Sequence, residues 1–241
     1  MARKKKEKAP IAYHAHRERQ RRRILDAAGK LFEERGIDRA TMAEITAASG
    51  IQPSTMYQYF ANKDEIVWSL LGELMEESGE RAKRCVNKGA NGFSRLAALM
   101  DWMAAELREH PAKVRFMAQF DATYARDWPA ERLITLESEI NPEGFQVFSD
   151  LIRAGMADGS LRSDLDPDLT MHAVINAVVG AQRRLASLGE KVELEYGHPV
   201  DRLFSEAVRV FLLGLRAPES AASRHGKKQK PAKRTTKKRS S

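Results

Sequence analysis

Six residues within seven positions, Gln52, Pro53, Ser54, Thr55, Tyr57 and Gln58, carry the most telling side-chain chemistry in the chain. A glutamine amide can pair bidentately with an adenine edge, serine and threonine hydroxyls bond to bases or phosphates, and proline or a threonine methyl can touch a thymine methyl. Such a set is fit for reading base pairs if it stands on one exposed face of a rigid element. A merely solvated short helix presents the same residue types, so the neighbouring elements have to decide between the two.

Those neighbours form a consistent frame. Ile24, Leu25, Ala28, Leu31 and Phe32 recur at the spacing of one helical face, which predicts a helix over 19–35 with Gly36 as its stop. Thr41 and Glu44 make a capping box, opening a short helix with Met42, Ile45 and Ala48 on one side. Gly50 permits a sharp turn, Pro53 suits a first helical turn, and Ile51, Met56 and Phe60 plug a third helix into the same small core. Asn62 and Glu65 read as a second capping box, starting a long helix with Ile66, Val67, Leu70, Leu71 and Leu74 on one stripe that ends near Gly89 and Gly92. The N-terminus of that helix, beside Lys63, favours a phosphate.

The string GIQPSTMYQYFANKDEI, preceded by TMAEITAAS, resembles the DNA-binding domain of the TetR/AcrR family of transcriptional regulators. The likeness covers roughly residues 19–75. It implies an all-α fold: an N-terminal helix-turn-helix domain followed by a helical domain for effector binding and dimerisation. It also implies that Thr41, Tyr57 and Lys63 contact phosphates, while Gln52, Pro53, Ser54, Thr55 and Gln58 lie nearest the bases. The expected partners are double-stranded DNA carrying a palindromic operator, a second copy of the chain and a small-molecule effector, with the protein acting as a repressor.

Charge adds to this. Residues 1–23 carry ten Lys/Arg against two Glu and residues 217–241 carry nine against one, +8 at each end; the middle keeps 22 basic and 30 acidic residues, or −8. An acidic body with two basic ends suggests arms that seek a polyanion. The expected organisation is a disordered basic arm over 1–18, the DNA-binding domain over 19–65, the effector and dimerisation domain over 66–216 and a disordered basic tail over 217–241.

Beyond residue 92 the pattern stays helical, with breaks at His110-Pro111, Trp128-Pro129, Asn141-Pro142 and Gly155 to Gly159, and no alternating strand pattern. Asp166-Pro167 starts a helix to about residue 188, and another covers about 200–215. The resemblance makes these last two the dimer interface. It also implies an effector pocket, for which Met100, Met103, Phe116, Met117, Phe120, Tyr124 and Phe148 are apolar and aromatic candidates, with His172 and Asn176 as polar ones. The same side chains at helical spacing also serve as ordinary core.

Other classes are disfavoured. The six histidines are scattered, no metal-ligand spacing or phosphate-cradling glycine loop occurs, and no nucleophile stands with a base, so neither an enzyme nor a cofactor or metal is expected. No apolar run approaches the ~18 residues of a membrane span, and the single cysteine, Cys85, fits a reducing, cytoplasmic setting. An architectural DNA-coating protein, a ligand-free regulator and an activator remain as alternatives.

Overall fold

Residues 5–87, 89–143 and 146–218 are described by the computed structural model, with side chains from residue 13 onward; the basic tail from residue 219 lies outside them. The first helix, α1, runs Lys5–Arg35. The segment expected to be a disordered arm over 1–18 is therefore helical from residue 5. The reason is continuity: α1 is nucleated by its packed half, and each residue added before Ile24 costs no new nucleus. Gly36, at φ 85°, ends it, its N–H bonding to the Phe32 carbonyl at 3.0 Å.

Then come α2 (Met42–Ser49), α3 (Pro53–Tyr59) and α4 (Lys63–Val86). The Thr41–Glu44 capping box is formed, with the Thr41 side chain accepting from the Glu44 N–H. At α4 the predicted box is offset: Asn62 Oδ1 accepts from the Glu65 N–H at 3.0 Å, but the Glu65 carboxylate reaches past Asn62 to the Ala61 N–H at 2.7 Å.

The remaining described helices are α5 (Gly92–Glu109), α6 (Pro111–Tyr124), α7 (Ala130–Ile140), α8 (Gln146–Ala157), α9 (Pro167–Leu188), α10 (Lys191–Tyr196) and α11 (Val200–Leu215). The short α10 has no counterpart in the sequence pattern; only Val192 of its six residues is buried, too little to make a periodic signal. Asn91 caps α5 reciprocally with Ser94, and Asp166 caps α9 by accepting from the Leu169 N–H. Distant loops meet where Arg162 N–H bonds to the Leu215 carbonyl at 3.0 Å and Ala217 N–H to the Ser160 carbonyl at 3.1 Å.

Two hydrophobic cores result. The first gathers Ile24, Leu25, Phe32, Ile45, Met56 and Phe60 with Ile66, Val67, Trp68 and Leu71 of α4 and, from far along the chain, Phe116 and Phe120 of α6. The second holds Ala82 and Val86 of α4, Leu96, Met100 and Met103 of α5, Val114 of α6, Ile152, Met171, Val178 and Phe204. A division at residue 65 is therefore not where the packing divides. Both α4 and α6 belong to the two cores at once, so neither can shift without disturbing both.

Candidate nucleic-acid interface

The turn between α2 and α3 depends on Gly50, whose φ of 63° and ψ of 26° are left-handed, and whose N–H bonds to the Ala47 carbonyl at 3.2 Å. Arg23 of α1 closes the same turn from behind, its guanidinium donating to the Ser49 carbonyl at 2.9 Å. Sequence reasoning placed Arg23 only in a basic run; nothing in its spacing singles it out as a brace.

On α3 the apolar and polar faces separate cleanly. Met56 is 0% exposed and Ile51 and Phe60 are buried, whereas Tyr57 is 60% exposed. Gln52, Pro53, Ser54 and Gln58 are exposed too, and Thr55 is half-buried. Pro53 occupies the first turn, where its missing N–H costs nothing, and the Gln52 side chain makes no capping bond. Five of the six are thus exposed at or on a short helix that is fixed through the buried Met56, with Thr55 half-buried among them.

Two flanking candidates are placed differently. The Thr41 hydroxyl is exposed, yet it donates to Glu44 Oε2 at 2.9 Å and is accordingly engaged in the cap. That hydrogen bond, first among the causes, holds the Glu44 carboxyl below its usual range, with Arg35 adding to the effect. Lys63 is engaged as well. Its ammonium donates to three carbonyls, Ile37 at 2.7 Å, Asp38 at 3.2 Å and Ala40 at 3.0 Å. Lysine has three N–H donors, so in this arrangement its ammonium is fully engaged by the α1–α2 turn and links that turn to α4.

The residues expected to line one effector pocket are split. Met100 and Met103 are buried in the second core and Phe148 packs against it, while Phe116 and Phe120 are buried in the first and Met117 and Tyr124 pack against that. His172 and Asn176 are exposed on α9 and bond to their own helix: His172 Nδ1 lies 2.7 Å from the Asp168 carbonyl and Asn176 Nδ2 donates to the His172 carbonyl at 2.8 Å. A cavity of about 330 Å³ between Leu107, Pro111, Leu185 and Val200, and a cleft of about 740 Å³ between Tyr59, Trp68, Glu73 and Leu136, are lined by none of them. Sequence spacing cannot tell which of two cores a methionine or phenylalanine enters.

What α6 does instead is tie the second core to the first. Ile37 N–H donates to Gln119 Oε1 at 3.2 Å, Arg115 pairs with Glu33 at 3.0 Å, and the Tyr124 hydroxyl donates to Asp64 at the start of α4. From the other side Arg183 of α9 pairs with Asp121. Among the described residues no cluster of three or more His, Cys, Asp or Glu could hold a metal ion, and no helix is long and apolar enough to cross a membrane.

A braced helix-turn-helix with a polar outer face defines a DNA-binding regulator. The family model described as bacterial regulatory proteins, tetR family, matches residues 24–70. The chain is 25% identical over 201 residues to the HTH-type transcriptional repressor KstR2 of Rhodococcus jostii, covering 83% of this chain and 93% of that protein. It is 30% identical over 146 residues to KstR2 of Mycobacterium tuberculosis, covering 61% of this chain and 71% of that one. The solved structure of the ketosteroid transcriptional regulator KstR2 of Mycobacterium tuberculosis superimposes with a TM-score of 0.61 at 24% identity, over 82% of this chain and 95% of that chain. The chain belongs to the TetR family and is a helix-turn-helix transcriptional repressor that binds DNA.

Proposed function

We propose that the chain works as a homodimer whose two copies of α3 read a palindromic operator, and whose hold on that operator is released by a small apolar or aromatic effector. Gln52, Pro53, Ser54, Thr55 and Gln58 meet base edges, Tyr57 meets a phosphate, and Thr41 stands at a helix N-terminus that favours one. Lys63 contributes by holding the module in shape. The observation that carries this reading is the separation on α3, where a fully buried Met56 adjoins an exposed Tyr57.

Dimerisation through α9 and α11 is supported by what those helices leave outside. Leu169, Val210 and Leu213 are exposed large apolar residues, and Ala173, Ala177, Gly180 and Gly214 on the same two helices are small enough for close approach. A two-fold pair would set two reading helices about 34–36 Å apart, one turn of DNA.

For the effector, the supporting observation is Trp102. Its indole N–H is buried without a hydrogen-bond partner among the described residues, and the ring packs against the core that holds Met100 and Met103, with Phe148 packed against the same core. A ligand that parts these side chains and accepts from Trp102 would move α5 against α8, and α5 packs on α4 and α6. It would act only insofar as it binds the displaced arrangement better, each tenfold preference being worth about 1.4 kcal/mol.

Selection of bound duplexes from a random-sequence pool by purified protein tests the main reading. Enrichment of one palindrome, with half-site centres about 10 base pairs apart, is expected. Even retention of all sequences would support an architectural protein instead. Gln58→Ala should change the selected sequence at one position per half-site, whereas Tyr57→Ala should weaken all duplexes together.

A further inference from the structure

We propose that the amino-terminal half of α1 is a second DNA-binding element, a basic helix that lies along the backbone phosphates flanking the half-site read by α3. This rests on the assignment of α3 to duplex DNA and extends the contact surface beyond it. From residue 13, where the described side chains begin, the first buried one on α1 is Ile24; residues 13–19 are all exposed, so this stretch packs on neither core. Its helicity is carried over from the packed half, and a helix polar on every side is what a surface meant for an outside partner looks like.

Its chemistry selects the partner. From residue 13 to residue 23 the helix carries Arg17, Arg19, Arg21, Arg22 and Arg23 against Glu18 alone, while the body of the chain is acidic. Guanidinium groups match phosphate oxygens bidentately. Among the described residues, neither Arg17 nor Arg19 forms an ion pair with a carboxylate, so both are available.

Position then selects DNA over any other polyanion. Arg17 lies over the Tyr59 ring of α3 at 5.8 Å and Arg21 over Phe60 at 5.7 Å. Arg23 closes the turn that leads into α3. Arg21 and Arg22 both converge on Glu73 of α4, at 2.9 and 2.7 Å, which fixes the direction of the helix. The extension therefore leaves the module beside the reading helix. The stretch from Lys5 to Arg23 spans about 28 Å at 1.5 Å per residue, equal to roughly eight base-pair steps along one strand.

The test uses the full chain and a 50-base-pair duplex carrying the palindrome that the wild type selects, beside a duplex trimmed to the palindrome's edges. Affinity is measured against salt for the wild type, for Arg17→Gln/Arg19→Gln and for Arg17→Lys/Arg19→Lys, with circular dichroism as the check on folding. On the long duplex the Gln variant should bind about ten- to a hundredfold more weakly near 0.15 M salt, and its log–log salt slope should fall by about 0.9 for each phosphate it no longer neutralises. The Lys variant should keep the wild-type slope, and on the trimmed duplex the difference between wild type and Gln variant should largely vanish. Phosphate ethylation outside the palindrome should interfere with binding of the wild type only. Equal slopes for wild type and Gln variant on the long duplex, or the same weakening on the trimmed one, would overturn the proposal. Selection of no palindrome would count against base reading by α3 alone; the slope comparison would then run on a random 50-base-pair duplex and decide the extension independently.

Discussion

Phe32 of α1 and Phe116 of α6 stack with ring centroids 6.1 Å apart and planes 22° apart, joining residues from the beginning and the middle of the chain inside one core. Since Val114, two residues earlier on α6, belongs to the other core, this stack is one of the joints between the two halves of the protein. Phe116→Ala should lower stability by about 3–5 kcal/mol, the usual cost of emptying a buried aromatic site. Urea unfolding followed by tryptophan fluorescence measures it, and a change below about 1 kcal/mol would mean that the stack is peripheral.

Lys63 offers a sharp separation between bracing and DNA contact. Lys63→Met keeps the stem but removes three donors from the Ile37, Asp38 and Ala40 carbonyls. A stability decrease of about 1.5–3 kcal/mol is expected, with the salt slope of DNA binding unchanged. A slope lower by about 0.9 per subunit would instead return Lys63 to the phosphate contacts.

The junction of α6 with α4 should show itself at alkaline pH. Burial, then the hydrogen bond to Asp64, pushes the Tyr124 phenol well above its ordinary value. The folded state thus keeps this proton where the unfolded chain, titrating near pH ~10, gives it up. The contribution is complete below that pH and is lost as pH rises toward the folded value. Above about pH 10 the urea midpoint of the wild type should fall more steeply with pH than that of Tyr124→Phe, because the unfolded wild-type chain gives up this proton while the folded state still holds it. The wild-type lead over Tyr124→Phe, followed from pH 8 to about pH 12, should therefore narrow as pH rises, and a lead that stays constant throughout would dismiss the effect.

Where α5 meets α8, Gly92 lies against the backbone of Gly155 and has no room for a side chain. A Cβ at Gly92 would lie 2.2 Å from the Gly155 Cα and 2.3 Å from its nitrogen, both backbone atoms that no rotamer change can move. Gly92→Ala should therefore cost at least about 3 kcal/mol, at the upper end for overpacking, or prevent folding. Gly79→Ala, in the middle of α4 with nothing within 4 Å, is the matched control and should stabilise by up to about 1 kcal/mol. Thermal unfolding of the pair checks both signs.

Local features proved readable because each is written in neighbouring residues. The Thr41–Glu44 cap, the Gly50 turn, Pro53 at the start of α3 and Asp166 at the start of α9 all stand as their sequence signatures require. The split of α3 into Met56 inside and Tyr57 and Gln58 outside follows from helical periodicity alone. What neighbouring residues do not record is long-range. Lys63 lies next to a helix N-terminus in sequence, and its ammonium bonds to carbonyls more than twenty residues earlier.

By itself, then, the sequence determined an all-helical chain, the helix-turn-helix and the residues that face outward from it, since short-range spacing fixes caps, turns and helix faces. Only the tertiary structure decided that Phe116 and Phe120 join the DNA-binding core rather than a pocket with Met100 and Met103, that Arg23 and Lys63 brace the reading unit, and that α1 continues as a helix toward residue 5. The physical reason is common to all of these. An apolar or cationic side chain records what kind of partner it needs, but the partner is chosen by helices that meet in space after dozens of intervening residues.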